Sequence, residues 1–478
     1  MNLKQIIKKG GSALLLAFAV AVPALLTGCS VQPADEVETH TVEGTLKIGI
    51  VSDMQLAPKG GSDIYDNAYR KTLEFFKSQD VNMMINAGDY TDTATQKAVD
   101  NYAAILNEVY PAEQRPVSLS ILGNHDYWLP YFVDCWEIPF KSKMQRRFLK
   151  ATGETSPWTH KVVNGYHFIG FSPTNGNMDS SAYTDKIDWA REQIELAIQD
   201  DPDKPVFVIT HAPPNDTVYM SDEEDYSALN ELFAQYPQVV SISGHTHAPL
   251  MDDRSIWQGE YTAVNTQCVS YVCFEKGMLC SGTDDASIEQ NPMCMILEIT
   301  DDALTFTRYS VLTGEQQGEA WRIPQPIAQN LNLYAADRAG RWGAPVFAQD
   351  AQFSAEFLPY GDGGQELAVS FDSAQHDNYV YSYTLTAADA SGQPVRFQNG
   401  EDADGNPVYL DALSYVSDFY LGLDAMQPRT TLRFGDYTAS LPDGTYTLSV
   451  TAADTWGHES APVTAQLSVS GGNVSVLA

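Results

Sequence analysis

Residues 116–126 read Pro-Val-Ser-Leu-Ser-Ile-Leu-Gly-Asn-His-Asp, a short apolar run that breaks abruptly into Gly123-Asn124-His125-Asp126. The same pattern recurs along the chain. Leu46–Ser52 runs into Asp53 and Gln55, and Val81–Ala87 into Gly88-Asp89. Val206–Thr210 runs into His211, and Val239–Ser243 into Gly244-His245-Thr246-His247. Apolar runs of about four to eight residues, closed by turn or polar residues, predict buried strands; Tyr166–Ser172 is another. Between them, Ile64–Ser78, Thr95–Val109, Asp185–Ile198 and Asp225–Ala234 carry apolar residues at helical spacing. Strands alternating with helices predict a layered α/β domain whose polar groups gather at one edge of a sheet.

That edge would hold Asp, Asn and His side chains from five separate runs, with four of the nine histidines among them. One or two such residues are ordinary polar caps of strands. Five clusters in succession fit the mixed carboxylate, amide and imidazole ligation of a two-metal centre, and suit Mn, Fe or Zn better than Ca or Mg.

The order Asp53-x-Gln55, Gly88-Asp89, Gly123-Asn124-His125-Asp126, His211, Gly244-His245-x-His247 resembles the calcineurin-like metallophosphoesterase superfamily over about residues 45–310. The resemblance implies a four-layer αββα sandwich and a hydrolase of phosphomonoesters or phosphodiesters. It makes Asp89 a carboxylate shared by two ions, with Asp53, Gln55 and His247 on the first ion and Asn124, His211 and His245 on the second. His125, held by Asp126, would protonate the leaving group or steady the developing charge. Gln55 departs from the pattern, standing where most members have His; an amide is the weaker ligand. Asp92, in Thr91-Asp92-Thr93 before a helical stretch, reads more simply as a helix cap. No HExxH sequence occurs, which argues against a zinc peptidase.

After His125 comes an aromatic-rich stretch, residues 127–160, with Trp128 at its start and five basic residues within residues 141–150, Arg146 and Arg147 among them. It reads as a helix with a solvated face on an aromatic mini-core. The sharper reading is a substrate cap, with Arg146 and Arg147 for an anionic ester and Trp128 for a ring.

Outside this domain, residues 1–28 combine Lys4, Lys8 and Lys9 with a charge-free apolar run that ends in Leu26-Thr27-Gly28-Cys29. The ending resembles a bacterial lipobox and implies a signal peptide, lipid on Cys29, and an extracytoplasmic protein anchored to a membrane. The rival reading, a spanning anchor, is too short and is interrupted by Pro23. Residues 29–44 read as a flexible acidic linker and 45–322 as the metallophosphoesterase domain. A Pro/Gly-rich linker follows over 323–345. Residues 346–478 form a small all-β sandwich that resembles fibronectin type III-like modules in Leu441–Tyr446 and Ala453–Gly457. Such a module either contacts the cell envelope or docks on the catalytic domain.

The 478 residues carry 28 Lys and Arg against 62 Asp and Glu, a formal charge of −34. So acidic a chain is not expected to bind nucleic acid. Six cysteines, in no zinc-knuckle spacing, read as small buried side chains with at most one disulfide. The resemblance implies a phosphate-ester substrate as the partner. The competing class is a catalytically weak or inactive surface lipoprotein that binds glycan, protein or cell wall.

Overall fold

A computed structural model describes residues 31–34, 36–129, 141–280, 291–422 and 426–477. Residues 1–30, with the signal segment and Cys29, lie outside the described residues, as do Cys135 and most aromatics of the stretch after Trp128.

Two sheets make the α/β domain. One has strands β2 (Leu46–Val51), β3 (Met83–Asn86) and β4 (Val117–Ser120) side by side and parallel. Antiparallel β12 (Met293–Ile299), β13 (Ala303–Ser310) and β14 (Trp321–Pro324) extend it past β2. In the second sheet β6 (Tyr166–Phe171), β7 (Val206–Ile209) and β8 (Val239–Ser243) are parallel neighbours. The inner faces meet in one apolar core that includes Ile48, Ile85, Leu119, Phe168, Phe207 and Val240.

Helices α1 (Asp63–Ser78), α2 (Gln96–Val109) and α3 (Lys141–Thr152) cover the outer face of the first sheet. Helix α4 (Ile187–Asp200) covers the second. Local chemistry sets the helix starts: the Ser62 hydroxyl accepts from the Tyr65 amide, and the Thr95 hydroxyl accepts from the Ala98 amide. Helix α1 presses on β2 at Gly49, where a Cβ would lie 2.7 Å from the Phe76 ring.

Two expectations for the connecting segments change. Within the spacer, Glu38–His40 forms β1, an edge strand in parallel register with Lys161–Val163. The Glu38 carboxylate accepts from the Thr155 hydroxyl and lies 3.5 Å from the Lys161 ammonium. The acidic character that suggests a solvated tether here supplies a second carboxylate for a nearly buried lysine, whose nearer partner is Glu154 at 2.8 Å. The 323–345 segment begins inside β14, with Ile323 and Ile327 fully buried. Its prolines end a strand that belongs to the domain core.

Residues beyond it build a separate β-rich region. Its larger sheet has six strands and is centred on β17 (Ser382–Asp389) and β22 (Gly444–Ala453); a three-stranded sheet and a hairpin complete it. The larger sheet takes its edge strand, β11 (Met278–Leu279), from the α/β domain, paired in parallel with Ser414–Tyr415. The Thr455 hydroxyl donates to both oxygens of Asp252, and the Asp253 amide donates to the Tyr379 hydroxyl. The two parts are thus stitched by backbone pairing and buried polar bonds. Among the described residues, Cys268, Cys273, Cys280 and Cys294 form no disulfide. Among the described residues no helix is long and apolar enough to cross a membrane.

Candidate metal centre

Because β2, β3 and β4 run parallel to one another, as do β7 and β8, their carboxyl ends open toward one edge of the two sheets. Asp53, Asp89, Asn124, His211, His245 and His247 meet there, all but His245 essentially buried. Donor atoms of Asp53, Asp89 and His211 all lie within 4.8 Å of one another.

The backbone is bent to bring them in. Asp53, Gln55, Asp89, His245 and His247 all have positive φ, between 44° and 72°. Residues other than Gly and Asn seldom occupy this region, at a cost of roughly 1–3 kcal/mol each, and they gather where function needs the geometry. The motif glycines allow close approach: a Cβ on Gly123 would sit 2.1 Å from Asp89 Oδ1, and one on Gly244 2.2 Å from Asp53 Oδ2.

Each histidine uses one ring nitrogen on an outside acceptor and turns the other inward. His211 Nδ1 donates to the Ala87 carbonyl, and His247 Nδ1 to the Tyr271 carbonyl, both at 2.9 Å. His245 Nε2 lies 2.6 Å from a Glu224 carboxylate oxygen. The inward nitrogens converge: His211 Nε2 is 3.2 Å from Asp89 Oδ2, and His247 Nε2 is 3.3 Å from Asp53 Oδ1. Asn124 Oδ1 is 2.9 Å from His211 Nε2 and 3.1 Å from His245 Nδ1. Outer partners of this kind fix the tautomer and aim of metal-binding imidazoles. Gln55 sits at the margin, its Nε2 3.4 Å from His247 Nε2.

Electrostatics agrees with this geometry. Burial alone would raise the carboxyls of Asp53 and Asp89; neighbouring imidazoles outweigh it and hold both below the usual carboxylate range. Burial disfavours charge on His211, but Asp89 and Asp53 push its pKa up to about 9. Asp53 Oδ1 is buried with no hydrogen-bond partner. Two buried carboxylates, inward-facing imidazoles and an orphaned oxygen fit a cation.

The partner of His125 is not Asp126. Asp126 is buried and accepts from the Thr91 amide and hydroxyl and from the Gly123 amide. It braces the loop that carries Asn124. His125 Nδ1 donates instead to the Asp92 backbone carbonyl at 2.8 Å and lies 3.7 Å from the Asp92 carboxylate. Asp92 is therefore not the helix cap, a role Thr95 fills. The cap residues also move. Arg147 donates to the Ala94 carbonyl at 2.6 Å as a strut under this loop, and Arg146 is exposed. Neither Arg146, Arg147 nor Trp128 is among the described residues lining the cavity over the cluster. Trp128 stands edge-on to the His125 ring, centroids 5.6 Å apart. Glu224 carries no sequence signal, since it lies in an ordinary run of acids.

Residues 46–249 match the family model described as Calcineurin-like phosphoesterase. This chain carries a calcineurin-like metallophosphoesterase domain. The Asp53–Asp89–His211 cluster lies within that domain. Similar solved structures include a purple acid phosphatase from yellow lupin (Lupinus luteus) seeds. That match has 12% identity, covers 59% of this chain and 54% of that one, and has a TM-score of 0.44. Vacuolar Protein Sorting 29 from Cryptosporidium parvum is 12% identical, with 59% and 98% of the two chains covered and a TM-score of 0.29. A cold-active protein-tyrosine phosphatase of a psychrophilic Shewanella is 13% identical, with 60% and 82% covered and a TM-score of 0.28. The chain thus spans about half the length of the lupin enzyme. No curated protein matches it.

Proposed function

We propose that this protein hydrolyses a phosphomonoester or phosphodiester at two metal ions, outside the cytoplasm, on a membrane anchor provided by lipid on Cys29. The observation that carries the reading is the convergence of Asp53, Asp89 and His211, with a buried Asp53 oxygen lacking any hydrogen bond. Asp53 and His247, with Gln55 as a weak third, would hold one ion; Asn124, His211 and His245 would hold the other, and Asp89 both. Such ions supply charge for the phosphoryl oxygens and a water acidic enough to attack at neutral pH; Mn, Fe and Zn all suit the donors.

The chain's own residues do the rest. His125 Nδ1 is engaged by the Asp92 carbonyl, so Nε2 is the nitrogen that carries a proton to the leaving oxygen. A water that has given one proton to solvent bonds through its oxygen to phosphorus, the ester P–O bond breaks, and His125 passes its proton to the departing oxygen and regains one from solvent. The Asp92 carboxylate, 3.7 Å from His125 Nδ1, helps hold the ring in this orientation. The α/β part fits the four-layer arrangement of that superfamily, and the β-rich region a fibronectin type III-like module. The charge of −34 supports a substrate other than nucleic acid.

The test is metal analysis together with turnover of bis-p-nitrophenyl phosphate and p-nitrophenyl phosphate. Full metal content with hydrolysis lost in Asp89→Asn and His125→Ala supports the reading. Full metal content without hydrolysis in the unaltered protein favours the surface-binding alternative.

A further inference from the structure

We infer that the cavity takes phosphate esters whose leaving group is a flat, uncharged, apolar ring, and that the β-rich region sets this preference by holding the cavity wall. The inference rests on the phosphoesterase reading above and narrows it to a substrate class.

The cavity holds about 350 Å³, at the small end for ligand sites. Its floor is the cluster and His125. Away from the floor the walls are Met178, Met220, Tyr226, Tyr271 and Phe274. Such walls suit a ring, through stacking, edge-on contacts and sulfur–aromatic contacts. The charges point the same way. Glu223 and Glu224 line the cavity, and Lys276 is the one lysine or arginine among its described lining residues. A leaving group with phosphate or carboxylate of its own would meet two carboxylates and no arginine fork.

The wall is not held by the α/β domain alone. Residues 271–279 form a strap. At one end the Tyr271 carbonyl accepts from His247 Nδ1, its ring lies 4.2 Å from the His247 ring, and the Cys273 amide donates to the His247 carbonyl. At the other end Met278 and Leu279 enter the β-rich region's sheet. Between them Phe274 packs edge-on against Tyr420, centroids 5.1 Å apart, and against Phe419 at 6.4 Å. Both belong to the β-rich region, so the position of the Phe274 ring depends on a domain that contributes no group to the metal cluster.

The experiment compares KM for phenyl, 2-naphthyl and 4-carboxyphenyl phosphate on the metal-loaded protein, in the unaltered chain and in Tyr420→Ala. The three probes differ in ring size and charge. The naphthyl ester is expected to show a KM about tenfold below the carboxyphenyl ester, the scale of one good aromatic contact. Tyr420→Ala should raise the naphthyl KM roughly three- to tenfold, with kcat and metal content kept. If that variant loses cooperative unfolding, Phe274→Leu reads the same change from within the cavity. Hydrolysis of all three esters with KM values within about twofold, or a naphthyl KM indifferent to both variants, overturns this inference and leaves the phosphoesterase reading standing. Full metal content with no hydrolysis of any ester overturns both.

Discussion

Gly244→Ala offers a clean test of how the metal cluster is built. Gly244 is not in the left-handed backbone region, so alanine meets no conformational penalty there and the effect is purely steric. Its Cβ would lie 2.2 Å from Asp53 Oδ2 and 2.5 Å from Ser52 Oγ. Restoring ordinary contact requires Asp53 to retreat by about 1 Å, in a site where Asp53 is fully buried. Asp53 also accepts from the His245 amide through that same oxygen, so the shift loosens the loop bearing His245 and His247. Overpacking of this kind costs about 1–3 kcal/mol, and a displaced ligand lowers metal affinity by roughly 10–100-fold. The assay is metal content after dialysis against a weak chelator, beside thermal unfolding. Gly340→Ala is the control, because nothing lies within 4 Å of its Cβ. Equal metal retention and equal Tm in Gly244→Ala, Gly340→Ala and the unaltered protein would refute the account of Gly244 as the residue that lets Asp53 in.

Three further outcomes follow from other contacts. Asp92→Asn should lower kcat roughly 10–100-fold with metal content unchanged, because it removes a carboxylate that lies 3.7 Å from His125 Nδ1 and steadies the ring; a change in metal content instead would move Asp92 into the ligand set. Glu224→Gln should weaken metal retention by about tenfold, since an amide no longer fixes the His245 tautomer; retention equal to the unaltered protein would make Glu224 a bystander. His160 is paired in the interior with His167 at 2.8 Å and with Gln193, and burial first, then His167, lowers its pKa to about 4. An unfolded imidazole protonates near 6.5, so between those values the unfolded chain binds the extra proton and stability falls as pH falls. The loss reaches about 3 kcal/mol below pH 4. His160→Gln should therefore flatten the fall of Tm with pH across that window, and an unchanged slope would place the acid sensitivity elsewhere.

Much of the site was legible because its parts are local. A buried strand that stops at Gly-Asp or Gly-Asn-His announces both the end of the strand and the donor beside it. Glu224 and Asp92 were less legible. Glu224 reaches His245 across 21 positions, and neither end of that bond differs in sequence from a surface acid and a motif histidine. Asp92 and Asp126 are both acids near His125, one through space and one along the chain, and proximity along the chain suggests the wrong partner. The acidic spacer shows the same difficulty. Polar residues predict exposure, but an edge strand such as Glu38–His40 needs only one neighbour with open backbone groups, and the strand through Lys161–Val163 supplies it.

The sequence by itself determined the alternation of strands and helices, the edge where donors gather, and the change to β-structure after the prolines. These follow from burial period and turn chemistry, which act over a few residues. Only the tertiary structure decided which carboxylate faces His125, what orients His245, and that the β-rich region reaches the cavity through Phe274. Those facts depend on distances between segments remote in sequence, and such distances are fixed only when whole sheets pack.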